Sequence, residues 1–196
     1  MAFSNVKFSQ VKEKYALLEY EANLFPNLQL LNPSVRLIEI LDESSQLPLN
    51  SEKAKSEFIV APILLEVWRN SGKKFSIFSG VTLDVDVELR GECDFILSQA
   101  PKSREIESPI FTLIEAKDDN IRLGIGQCVL QMYAAQKFNE LKNKSIKVIY
   151  GCVTTGDDWQ FIKLEKNTVT FDNKRFYLSE VDKILGVFQQ IVNQLD

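Results

Sequence analysis

The chain has 196 residues, 45% hydrophobic and 26% charged, with a formal net charge of -4 and no histidine. That length and balance suit one soluble domain with a sizeable core, and no apolar run reaches the roughly 20 residues of a membrane span. The missing histidine excludes Ser-His-Asp and Cys-His nucleophile systems and histidine zinc sites, which leaves carboxylates, lysine and a hard cation as the available chemistry.

The opening stretch, MAFSNVKFSQVKEKYALLEYE, is charged early and lacks the apolar run of a secretory signal. Val11, Tyr15 and Leu18 predict a helix from about Ser9 to Glu21. Asn32 to Asn50, with Pro33 and Pro48, reads as the loosest segment. A helix over about Ser51 to Asn70 is apolar on most sides and should kink at Pro62.

Three strands are expected next: Phe75 to about Val87 with a bend at Gly80, Glu92 to Leu97, and Ile110 to about Lys117. A helix follows from about Ile121 to Glu140, its core stripe being Ile125, Cys128 or Val129, Met132 and Ala135 or Gln136. Ile146 to Val153, Trp159 to Leu164 and Thr168 to Phe171 read as strands. Ser179 is the expected N-cap of a closing helix with the stripe Val181, Ile184, Leu185, Phe188, Ile191, Val192 and Leu195.

No repeat, low-complexity tract or linker divides the chain, so one α/β domain over 1–196 is expected, with a mixed sheet flanked by helices. Its core would span about 51–155, with a helical extension before it and a meander plus helix after it. Cys93, Cys128 and Cys152 form no CxxC pair, which predicts reduced thiols and a cytoplasmic protein with no membrane association.

Two strings on successive predicted strands carry the chemistry: Gly91-Glu92-Cys93-Asp94-Phe95-Ile96-Leu97 and Phe111-Thr112-Leu113-Ile114-Glu115-Ala116-Lys117. Side chains two apart on a strand share a face, so Glu115 and Lys117 project together, and Asp94 joins them if the strands are neighbours. Two adjacent carboxylates repel unless a proton or cation intervenes, and clustered oxygens suit Mg²⁺ or Mn²⁺. Lys117 would orient a water or stabilise charge developing on a phosphoryl group. An E-x-K triplet alone is common at a solvated strand end; the Asp on the preceding strand gives this one its weight.

These residues, with helices before and after the strands, resemble the PD-(D/E)XK nuclease superfamily over roughly Ser51 to Thr155, with Cys93 in place of its usual proline. The strings LRGECDFIL and IFTLIEAKDD are also similar to those of small cyanobacterial-type members. The resemblance implies a restriction-endonuclease-like αβββαβ core and Mg²⁺- or Mn²⁺-dependent cleavage of DNA, with RNA the other candidate. It implies Asp94 and Glu115 as metal ligands together with the carbonyl of Ala116, and Lys117 at the attacking water.

Such families often take a glutamate from the helix before the first strand. Glu57, aligned with the apolar Ala61, Leu64 and Trp68, is preferred here to Glu66. They also place a glutamine on the helix after E-x-K, for which Gln127 is preferred to Gln131. Gly124-Ile125-Gly126 is too short for a dinucleotide fingerprint.

Asp84-Val85-Asp86 and Gly156-Asp157-Asp158 suggest a haloacid-dehalogenase-type phosphotransferase, but that fold begins a doubly wound parallel sheet with its nucleophile, whereas two helix-free strands follow this DxD. The acidic balance raises another reading, a non-catalytic nuclease fold meeting a protein partner or a second copy of itself. If DNA binds, Arg122, Lys137, Lys142, Lys144 and Lys147 are the expected positive rim, or else a solvated loop.

Overall fold

Pro62 has no N–H to offer the carbonyl of Phe58 one turn earlier, and the helix around it adapts. The computed structural model, which describes residues 3 and 6–195, divides this stretch into α3 (Glu52–Lys55), a π turn (Ser56–Val60) and α4 (Ala61–Asn70), with Pro62 in the first turn of α4. The hydroxyl of Ser44 donates to the Phe58 carbonyl at 2.9 Å in place of the missing amide. The predicted kink therefore takes the form of a π turn, whose extra residue rotates α3 by roughly 100° against α4.

Two elements in the N-terminal part differ from their sequence patterns. Helix α1 covers only Phe8–Lys14, Ala16 turns the chain with φ 50°, and Leu18–Ala22 form strand β1 parallel to β7 (Thr168–Asp172). All five side chains of β1 are exposed, so no apolar alternation marks it; backbone pairing with β7 and an ion pair from Lys12 to Glu19 hold it. The segment expected to be loose contains helix α2 (Val35–Ser45), capped by Ser34 Oγ accepting from Leu37 N–H at 3.2 Å. Only Leu37 and Ser44 of α2 are buried, too thin a stripe to read as a period.

The remaining elements follow the expected order. Strands β2 (Ser76–Asp84), β3 (Arg90–Ser98) and β4 (Ile110–Ala116) are antiparallel neighbours. Helix α5 (Ile121–Leu141) crosses to β5 (Val148–Thr154), which pairs parallel with β4. Strands β6 (Asp158–Glu165), β7 and the short β8 (Phe176–Tyr177) extend the meander, and α6 (Val181–Val192) closes the chain. The sheet order is β1-β7-β6-β5-β4-β3-β2, with β8 beside β6. Ser179 does not cap α6; it lies in a single 3₁₀ turn, Leu178–Glu180, that precedes the helix.

This is an α/β fold with a mixed open sheet and helices on both faces. One face buries Phe95, Leu97, Ile114 and Phe161 against α2, α4 and α6, while the other buries Ile96, Leu113, Val153 and Ile162 against α1 and α5. Among the described residues no helix is long and apolar enough to cross a membrane. The carboxyl ends of β4 and β5, the parallel pair joined by α5, lie together at one edge, where open α/β sheets characteristically bind ligands.

Candidate active site

The β3–β4 ladder runs to Phe95 opposite Ile114, and one further step sets Asp94 opposite Glu115. Regular pairing stops at that step. The N–H of Ala116, free of a strand partner on that side, donates to Asp94 Oδ2 at 2.7 Å. Lys117, two residues past Glu115, brings Nζ to 2.6 Å from Glu115 Oε1 and 3.6 Å from Glu52 Oε2. The other oxygen of Glu115 accepts from Gln131 Nε2 at 2.9 Å. Glu115 Oε1 is buried, with the Lys117 ammonium as its ion-pair partner. Among the described residues Asp94 Oδ1 has no hydrogen-bond donor.

Packing explains why α5 can lie so close. A Cβ on Gly124 would stand 2.7 Å from Val153 Cγ1, 2.9 Å from Lys117 Cγ and 3.3 Å from Glu115 Cγ. A Cβ on Gly126 would stand 2.1 Å from the carbonyl oxygen of Val6. The GxG string is therefore a packing device: one glycine admits the carboxyl ends of β4 and β5 and the other the N-terminal segment.

Burial raises the Glu115 pKa most, and Asp94 adds to it; against Lys117 and Gln131 the balance reaches about 7. Asp94 is also raised, by burial first, against the Ala116 N–H and Lys117. Burial lowers the Lys117 pKa, but Glu115 and Glu52 outweigh it and the net direction is up. Near neutrality the site thus pairs a charged lysine with a carboxylate poised between its two forms.

The sequence candidates divide. Asp94, Glu115, Ala116 and Lys117 come together. Glu57 does not join them: it is exposed, its carboxylate lies 3.8 Å from Lys53, and it lines the outer wall of a cleft of about 450 Å³ that leads to Asp94. The π turn is the reason, because it breaks the helical phase that aligned Glu57 with Leu64 and Trp68. Glu52 is the helix carboxylate that reaches the site, and Glu66, placed second to Glu57 by the sequence pattern, is buried. Glu66 accepts from Ser34 N–H at 2.9 Å and pairs with Arg69 at 3.1 Å.

Gln127 is half-buried without a hydrogen bond among the described residues, and Gln131 takes the place expected for it. The available signal was local: Gln131 sits between Leu130 and Met132 in a stretch whose neighbours are buried, where an amide needs a partner.

The expected positive rim is also corrected. Helix α5 begins at the candidate site and carries the chain about 30 Å away from its start, so Lys142, Lys144 and Lys147 lie at the far end. Lys137 pairs with Glu140 at 2.7 Å, and only Arg122 stays near the site. The three cysteines are free and buried. Among the described residues no group of three or more Cys, Asp and Glu side chains is arranged to hold a metal ion. No family model matches the chain, and no curated protein matches it.

Proposed function

We propose that the chain is a PD-(D/E)XK-type nuclease with a restriction-endonuclease-like core, hydrolysing phosphodiester bonds of DNA with Mg²⁺ or Mn²⁺. The observation that carries this reading is the convergence of Asp94, Glu115 and Lys117 at the carboxyl end of β4, with Glu115 Oε1 buried against the Lys117 ammonium. A hard cation fits these residues: Asp94 Oδ1 is free of hydrogen-bond donors among the described residues, Glu115 offers a buried carboxylate beside it, and the Ala116 carbonyl would complete the oxygen set. When bound, the cation would supply Lewis acidity and make an attacking water more acidic.

The chain's own groups have distinct tasks in this reading. Gln131 fixes the rotation of the Glu115 carboxylate. Glu52 and Glu115 hold the Lys117 ammonium from two sides, aimed at the place where negative charge would develop on the phosphate. A cytoplasmic location, with three reduced cysteines, accompanies the reading.

One observation favours a second reading, a non-catalytic module that binds a protein. Among the described residues the cleft beside Asp94 is walled by Glu52, Glu57 and Glu92 with Lys53 the single cation, a poor match to a phosphate backbone without added metal. Incubation with mixed single- and double-stranded DNA and RNA, titrating Mg²⁺ and Mn²⁺, separates the two. Cleavage lost with chelator and in Asp94→Asn supports the enzyme. No cleavage, together with no DNA binding at low salt in Ca²⁺, overturns it in favour of the binder.

A further inference from the structure

The short helix α3 buries none of its residues, yet it sits across the end of the candidate catalytic strand. Apolar packing therefore does not explain its seat. Two polar contacts on one side of the helix do, since residues three apart share a face. Glu52 reaches Lys117 at 3.6 Å, and Lys55 reaches past it to the next two residues of the chain. Lys55 Nζ donates to the backbone carbonyl of Asp118 and lies 3.2 Å from Asp118 Oδ1 and 3.9 Å from Asp119 Oδ1.

The route taken by Lys55 is built for this reach. Its side chain is only 12% exposed, and its stem runs beside Gly156, where even a Cβ would already be in contact at 3.6 Å. Gly156 has φ +87°, a backbone conformation that favours glycine at this turn. On the other side, the N–H of Lys117 donates to the Thr154 carbonyl at 2.8 Å, and Asn120 Oδ1 caps α5 by accepting from Arg122 N–H at 2.9 Å. Between these two fixed points lie Asp118 and Asp119, and Lys55 is the group that holds them.

We propose that Lys55 is a positioning residue: it latches α3 to the Asp118–Asp119 turn and so holds Glu52 against Lys117. The proposal rests on the nuclease reading for its catalytic consequence only; the latch itself is a property of the chain. Lys55 is committed to Asp118 and Asp119, so its loss should lower kcat with little change in KM.

The test uses the full chain and compares wild type with Lys55→Met and Lys55→Arg by hydrogen exchange and by metal-dependent DNA cleavage. Exchange of the amides of residues 117–121 should be at least ~10-fold faster in Lys55→Met, with kcat down ~10-fold or more and KM within about twofold. Lys55→Arg, which keeps the charge and most of the stem, should restore both toward wild type. If Lys55→Met fails to fold, the double variant Asp118→Asn, Asp119→Asn is read by the same criteria. Wild-type exchange in Lys55→Met, or an arginine variant no better than methionine, overturns the proposal. Should the wild-type protein cleave nothing, the nuclease reading fails while the exchange measurement still decides the latch.

Discussion

Gln131, in the middle of α5, donates its amide to Glu115 Oε2 across 2.9 Å, and both residues are buried. Replacing Gln131 by Leu removes that donor from a buried carboxylate. Urea unfolding at pH 8 should show a loss of about 1–3 kcal/mol, the usual cost of leaving a buried polar group unpaired. Gln127→Leu, at a half-buried position without a hydrogen bond, should stay within about 0.5 kcal/mol of wild type. Equal losses in the two variants would contradict the assignment of Gln131.

The raised pKa of Glu115 makes stability depend on pH in a definite direction. The ordinary value is 4.5 and the folded value about 7, so between them the folded state holds a proton that the unfolded chain releases. The contribution is fully present below 4.5 and is lost as pH rises through about 7. Its upper size is about 3 kcal/mol at 1.36 kcal/mol per decade. Glu115→Gln should flatten this part of the stability profile and exceed wild type at pH 8. Added Mg²⁺ should raise the wild-type Tm at pH 8 more than at pH 5 if the carboxylates bind it. Identical profiles for the two proteins would contradict the assignment.

Glu66 and Glu57 should separate in the opposite sense to their sequence pattern. Glu66 is 3% exposed and holds Ser34 N–H and Arg69, so Glu66→Ala should cost about 2 kcal/mol in chemical denaturation. Glu57→Ala removes an exposed carboxylate and should be close to neutral in stability. Under the nuclease reading Glu52→Ala should lower cleavage more than Glu57→Ala does.

Two glycines of α5 offer a contrast in what they displace. Alanine at Gly126 would press on backbone, 2.1 Å from Val6 O and 2.6 Å from Phe8 N, so the N-terminal segment must shift and Tm should fall by several degrees, corresponding to about 1–3 kcal/mol. Alanine at Gly124 meets the side chains of Val153 and Lys117 instead. Under the nuclease reading it should disturb cleavage more than it disturbs Tm. A Gly126→Ala protein as stable as wild type would mean that residues 6–8 are not packed against α5.

The sequence by itself determined the order of most elements, because the short apolar runs of β3, β4, β5 and β6 and the apolar stripe of α6 are local signals. It also determined that Glu115 and Lys117 share a face, since that follows from the two-residue period of one strand. Strand β1 left no such trace because its side chains face solvent and its partner β7 is distant in sequence. Which glutamate of the α3–α4 stretch turns inward was decided by the π turn, a backbone response to Pro62 supported by Ser44 from another helix. Which glutamine meets Glu115 was decided by how α5 rotates over the sheet, and that rotation is set by the close approach at Gly124 and Gly126. Helical period names a face, but only packing against a distant strand decides which side of the face carries the contact.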